Sequence, residues 1–341
     1  MNFVELTNSE GKKISVCFRS FQPQDAEGII NVITDEYGKT YIKRNFYNLN
    51  TFEKYEKSGH TRFIIAELKY GKIIGMISLN DFLPREKVYE PASAVVLKEY
   101  RQYGIFKHLV EKALKIEEKT KNMYACYVHV IMYHDITQRV FEEIGFTPCG
   151  ITYSELLMLN SSHSYQRDEN IKYPYGIMMR KAERKDVGKI YIPPEHIEIA
   201  QKIYNSLSVK FEITSKSEKL SGKTSIFIED DEPQQRCTIA VDEIGTDLIA
   251  KVKEIQNERK EPYQIFNLYL NISDPKAITA YKELLKIGYF FTGFRPLCSD
   301  RELIVMHNPC KVQINFDTFK LTQKFSELND YIKKCYERRI K

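Results

Sequence analysis

The stretch Ala94–Val110, AVVLKEYRQYGIFKHLV, decides how this chain is read. Ala94 to Leu97 is an apolar run and predicts a buried strand. A short basic turn follows, and then a helix begins. The turn holds Arg101 and Gly104 in an R-x-x-G pattern. At a helix start the backbone N–H groups point outward and the helix dipole favours negative charge, so the turn suits a pyrophosphate. Gly104 removes the Cβ that would hold a phosphate away from the backbone. The competing reading is an ordinary strand-to-helix loop that contains a glycine by chance, because short glycine patterns recur.

The flanking sequence supplies context. Downstream, Tyr124–Ile151 (YACYVHVIMYHDITQRVFEEIGFTPCGI) reads as strand, loop, helix and strand. Its helix ends at Gly145-Phe146, with glycine just past the last turn. Upstream, Phe63–Leu79 (FIIAELKYGKIIGMISL) is two apolar runs joined at Tyr70-Gly71-Lys72, a hairpin pattern. Before it, Phe18–Ile33 gives a strand end, a turn at Pro23 and Asp25 at a helix start.

This order resembles the GNAT superfamily, the GCN5-related N-acyltransferases, over roughly Ile14 to Tyr153. The resemblance implies an α/β (α+β) fold with a mixed, mostly antiparallel central sheet flanked by helices. It also implies acetyl-CoA as cofactor. In the family a [Q/R]-x-x-G-x-[G/A] loop holds the CoA pyrophosphate on backbone amides. Arg101, Gln102, Tyr103, Gly104 and Ile105 match it, whereas Phe106 stands where Gly or Ala is usual. The preceding strand of the family splays from its neighbour and offers backbone groups to the pantetheine arm, which assigns Val96 and Leu97 here. A second family pattern ends in Gly-Phe. Aligned on Gly145-Phe146, the chain has His134, Thr137 and Phe141 where Asn, Ala and Tyr are usual. That Tyr commonly serves as general acid, and Phe141 has no proton to give. His134 is the nearest titratable substitute; a capping or solvated loop histidine is the other reading. Glu90, on the same strand as Val96, is the candidate general base; a solvated strand-end carboxylate is its alternative.

Composition bounds the rest. The chain has 341 residues, 43% hydrophobic and 28% charged, which fits two domains of ordinary size. The net charge of +5 comes from dispersed Lys and Arg and argues against a nucleic-acid partner. There is no apolar run of membrane-spanning length, and the N-terminus has no secretory h-region, so no membrane partner and a cytoplasmic location are expected. Seven cysteines at scattered positions, with no C-x-x-C, read as reduced thiols. No spacing of histidines suits a metal, so no metal is expected.

The second half echoes the first. TQRVFEEIGFTPCGI aligns with AYKELLKIGYFFTGF, placing Gly145-Phe146 on Gly288-Tyr289. An apolar strand precedes each copy. The second counterpart of the cofactor segment, Cys237–Gln256, lacks R-x-x-G and carries Asp242, Glu243 and Asp247 near its turn. Acidic side chains there repel a pyrophosphate. The expectation is two GNAT-like units in tandem: residues 1–185 with the CoA site, and residues 186–341 as a degenerate copy. Ser221–Thr224 (SGKT) looks like the end of a P-loop, but Ser217 stands where its first glycine is required. The tail, Phe325–Lys341, predicts an amphipathic helix.

The expected function is transfer of an acetyl group from acetyl-CoA to a primary amine on a small molecule or peptide. The alternative is a non-catalytic CoA-binding regulatory protein. The acceptor segment is expected at about Asp35–His60, whose aromatic residues read mostly as packing, and homodimerisation is left open.

Overall fold

The computed structural model describes the chain except residues 1, 42, 84–86, 121–122, 157–172, 182–186, 233–234, 260, 262, 264, 299–300, 311 and 341. The polar stretch Asn160–Asn170, read as a loop, lies outside the described residues. Two compact units divide the chain, the first reaching Val128 and the second taking up the described residues from His129 onward.

In the first unit β1 (Phe3–Thr7), β2 (Lys13–Ser20), β3 (Thr61–Leu68), β4 (Ile73–Leu83) and β5 (Val88–Val96) lie side by side, each antiparallel to the next. The start of β6 (Ala125–Ile131) pairs parallel with β5. Gly71 makes the expected hairpin turn, with φ +88°. Three helices complete the unit: α1 (Ala26–Tyr37), α2 (Leu49–Ser58) and α3 (Ile105–Thr120). Phe63, Ile65, Met76 and Val95 join Ile29, Ile33, Phe46 and Phe52 in one buried cluster. Gly75 instead faces Ile105 of α3. Successive strand residues point to opposite faces, so α1 and α3 cover opposite sides of the sheet. That explains why β3 and β4 read as nearly unbroken apolar runs rather than alternating ones. Among the aromatic residues of 35–60, Tyr41 and Phe46 pack in the core as expected, with 6% and 2% exposure.

The second unit holds α4 (Ile136–Glu143), β7 (Thr147–Leu156), β8 (Tyr173–Lys181), β9 (Lys189–Tyr191), α5 (Ile197–Ser206), β10 (Glu212–Thr214), β11 (Ser225–Asp231) and β12 (Arg236–Glu243). It continues with α6 (Leu248–Arg259), β13 (Ile265–Asn271), α7 (Ala277–Leu285), β14 (Phe290–Cys298), β15 (Arg301–Asn308) and α8 (Gln323–Ile340). Its main sheet runs β8-β7-β14-β15-β13-β12-β11, and β9 and β10 form a separate parallel pair. α8 is the expected amphipathic tail helix, with Phe325, Leu328 and Ile332 buried.

A buried histidine sits under α8. His196 Nδ1 lies 2.8 Å from the Tyr331 hydroxyl and Nε2 lies 2.6 Å from the Tyr281 hydroxyl. Tyr331 donates its own proton to the Glu195 carbonyl, so it accepts from His196 Nδ1–H. Nε2 then accepts from Tyr281. Burial pushes the His196 pKa down to about 3, so the ring is neutral at neutral pH.

Two segments of the chain share an order of elements. The first runs β4, β5, α3, β6, α4, β7, β8 and the second β11, β12, α6, β13, α7, β14, β15. β4 and β5 are antiparallel, as are β11 and β12. β5 and β6 are parallel, as are β12 and β13. The ends of α4 and α7 match bond for bond. Gly145 N–H donates to Glu142 O and Phe146 N–H to Phe141 O; Gly288 N–H donates to Leu285 O and Tyr289 N–H to Leu284 O. Both glycines are left-handed, at φ +91° and +95°. β7 meets β14 at Gly150 opposite Gly293. A Cβ on Gly293 would lie 2.2 Å from the Gly150 Cα, so this contact requires the absence of a side chain.

Candidate active site

The Arg101–Gly104 turn forms an anion-ready concavity. Gln102 and Gly104 both have positive φ, +71° and +73°, with Tyr103 between them. Alternating hands turn successive N–H groups inward to one side, the arrangement that holds anions. Among the described residues, the N–H groups of Gln102, Tyr103 and Gly104 make no hydrogen bond to the protein. The first helical bond of α3 runs from His108 N–H to Gly104 O, so the amides before it lie outside the helical ladder. A Cβ on Gly104 would meet no atom within 4 Å. Its place is therefore set by φ, and the space beside it is open for a ligand.

The side chains of the turn have structural tasks. Arg101 bonds to Glu36 of α1, and its Nε donates to the Val96 carbonyl at 3.1 Å. The guanidinium thus ties the turn to α1 and to β5. Tyr103 and Ile105 are buried, and Phe106 is half-buried in the first turn of α3. The bulk at 106 is accommodated by the helix and leaves the three turn amides open.

The strand feeding the turn opens away from its neighbour. β5 pairs with β6 only at Val88 with Ala125 and Tyr89 with Cys126. Glu90 is the next residue on β5, at the point where the two strands part, and it stands opposite Asn80 of β4. Pro91 follows, with no N–H to offer a neighbouring strand. Between Ala92 and Val95 the register with β4 shifts, and Ser93 has φ +55°, a β-bulge. Leu97 N–H donates to Ile74 O of β4. Strand alternation therefore turns the Val96 N–H to the opposite side, towards the opening. Of the two residues expected to meet the pantetheine arm, Val96 turns its amide away from β4 and Leu97 turns its amide towards it.

The residues that sequence reasoning missed cluster on the bulge. Lys43 Nζ donates to Ser93 Oγ at 2.9 Å and lies 5.3 Å from the Phe46 ring centre. Burial pushes the Lys43 pKa down, against the attraction of Glu90. Burial raises the Tyr41 pKa, and the nearby Ser93 hydroxyl lowers it. Lys43 and Ser93 are far apart in sequence, and no local pattern links them. The positions of Lys43 and Tyr41 inside the predicted acceptor segment were the one available hint.

His134 and Phe141 belong to the second unit. The His134 ring packs edge-on to Tyr133 at 4.9 Å, and its carbonyl accepts from Gln138 Nε2. Phe141 is buried against Phe146. A cavity of about 1120 Å³ in the first unit is lined by Asp25, Asp35, Lys72 and Glu99 among others. Arg19 pairs with both Asp25 and Glu67, and Lys72 with Glu99, so much of its charge is satisfied internally.

The counterpart turn between β12 and α6 is filled by the chain itself. Gly245 N–H donates to Thr224 Oγ1, and Thr246 N–H donates to the Gly222 carbonyl. Asp247 accepts from Thr224 N–H, which with the Thr224 hydroxyl holds its carboxyl down at about 2. The segment that resembled the end of a P-loop thus caps this turn.

Residues 26–146 match the model of the Acetyltransferase (GNAT) family. This region is a GNAT acetyltransferase domain. Solved structures similar to the chain include the spermidine N-acetyltransferase from Vibrio cholerae in complex with CoA and spermine. It is 18% identical over 49% of this chain and 95% of its own, with a TM-score of 0.40. The dodecameric spermidine N-acetyltransferase from Vibrio cholerae in an intermediate state is 17% identical over 48% of this chain and 92% of its own, also at 0.40. Curated protein sequences contain no match to this chain. The GNAT domain takes in the turn, the bulge, Glu90 and the Gly145-Phe146 helix end. Among the described residues no helix is long and apolar enough to cross a membrane.

Proposed function

We propose that this chain transfers an acetyl group from acetyl-CoA to a primary amine. The observation that carries the reading is the pairing of an open amide concavity at Gln102–Gly104 with a strand that parts from its neighbour just before Glu90. The residues fit CoA: three amides and the α3 N-terminus suit the pyrophosphate, and the Val96 amide suits the arm that follows. When bound, CoA supplies an activated acyl group. Glu90 accepts the proton that the attacking amine must lose. Holding amine and acyl carbon together supplies much of the acceleration, several kcal/mol in well-oriented systems.

Residues 1–185 then form the catalytic copy, and residues 186–341 a second copy that binds no CoA. Two observations support the second half of that reading. β12 and β13 pair continuously from Arg236 with Ile265 to Val241 with Leu270, so no opening forms between them. The turn that follows is capped by residues 222–224. A cytoplasmic location accords with the free cysteines among the described residues.

Titration calorimetry with acetyl-CoA tests the reading. Binding is expected for the wild type and is lost in Gly104→Glu, whose carboxylate enters the phosphate position. A wild type that does not bind ends it. A non-catalytic CoA-binding role is favoured by one feature, Phe141 in place of a proton donor. Binding without turnover over a panel of primary amines, spermidine included, establishes that role instead.

A further inference from the structure

The acetyl-transfer reading leaves the leaving group without a proton donor, since Phe141 has none to give. A thiolate expelled into a partly buried site needs one. The bulge on β5 brings two proton-bearing side chains into contact, Lys43 and Ser93, with Tyr41 nearby. Ser93 belongs to the strand that the CoA arm follows, three residues beyond Glu90 and three before Val96. Its positive φ is a strained conformation for a residue with a Cβ, of the kind kept at functional sites. Lys43 is half-buried, against an aromatic ring and a hydroxyl, where a lysine without a task is unfavourable.

We propose that Lys43, acting through the Ser93 hydroxyl, supplies the proton taken up by the departing CoA sulfur. The inference rests on the acetyl-transfer reading. The acceptor nitrogen bonds to the acyl carbon as the carbon–sulfur bond breaks. The sulfur leaves with the bonding pair and takes the Ser93 hydroxyl proton. Ser93 takes one in turn from the Lys43 ammonium. The surplus proton on the acceptor nitrogen passes to Glu90 and on to solvent, from which Lys43 is recharged. A lysine serves as acid at neutral pH only if its pKa lies closer to neutrality than usual, and burial moves Lys43 in that direction. Glu90 is the charged group facing it; Tyr41 and Tyr47 are the other titratable side chains there.

Two measurements test this. The first is trace labelling of the wild type with acetic anhydride at neutral pH, read by mass spectrometry at Lys43 with and without CoA. Lys43 is expected to label more readily than exposed Lys57, and CoA is expected to protect it. CoA that binds by calorimetry yet leaves Lys43 unprotected overturns the inference while the acetyl-transfer reading stands. CoA that does not bind removes that reading, and this inference with it. The second measures thiol release from acetyl-CoA, with water or spermidine as acceptor, in Lys43→Met, Ser93→Ala and Lys43→Arg. The first two are expected to lower kcat about a hundredfold with CoA affinity retained. Lys43→Arg keeps the charge and shape class, and is expected to lose the fall in rate at high pH that the wild type shows as Lys43 deprotonates. An unchanged kcat in Lys43→Met, or an unchanged pH profile in Lys43→Arg, overturns the assignment. So does a loss confined to CoA affinity.

Discussion

Glu90, the one acidic residue of β5, lies where two parallel strands stop pairing. Replacing it with Gln keeps its size but removes the proposed general base. The expected result is a kcat lower by about a hundredfold with CoA binding unchanged, measured by steady-state acetylation of a primary amine. His196 offers a test of a different kind. Its pKa falls from 6.5 to about 3 on folding. Below pH 6.5 the unfolded chain takes up a proton that the folded chain refuses, so stability is full above 6.5 and declines as pH falls towards 3. Thermal melts between pH 7 and 4 should show a shallower decline for His196→Gln than for the wild type. A sequence reader has no access to this site. Tyr281, Tyr331 and His196 are scattered over the second half, and only the packing of α7 and α8 around His196 brings them together.

At the scale of elements, the helix ends show what local pattern conveys. Gly145-Phe146 and Gly288-Tyr289 were legible because a left-handed residue after a helix is almost a requirement for glycine. The strand and turn around Gly104 were legible for a similar reason, as an apolar run meeting a helix start. What stayed hidden was pairing. Continuous pairing of β12 with β13, against two pairs between β5 and β6, is a difference in register that composition does not encode. The acidic residues near the second turn pointed to charge as what would keep a pyrophosphate out, whereas the turn is bonded by Gly222 and Thr224. Gly293→Ala carries the prediction at this scale. Its new Cβ would press on the Gly150 backbone, and its φ of +147° is unsuited to a side chain. A loss of about 1–3 kcal/mol in urea unfolding is expected. Gly150→Ala, whose nearest contact would be 3.1 Å, should cost less.

For the whole molecule, one open turn and one capped turn predict one CoA per chain. Calorimetry on the full chain should return a stoichiometry near one. Gly104→Glu should abolish the signal, while Thr224→Ala, which uncaps part of the second turn, should leave it at one. The echo of TQRVFEEIGF in AYKELLKIGY made a shared order of elements legible, and the two segments have one. The state of each turn was less legible, because it depends on backbone direction at a few residues: Gln102, Ser93 and Pro91 at one, Gly245 and Thr246 at the other.

The meeting of Gly150 with Gly293 has a consequence for how the protein survives dilution. β7 and β14 hold the same place in the two segments that share an element order, and equivalent places facing each other across a strand pair is how two identical chains join about a two-fold axis. In separate chains such a junction falls apart when the protein is scarce. Here one polypeptide carries both sides, so the association is intramolecular and its strength is independent of how many molecules are present. The melting temperature should therefore stay constant across a hundredfold change in protein concentration.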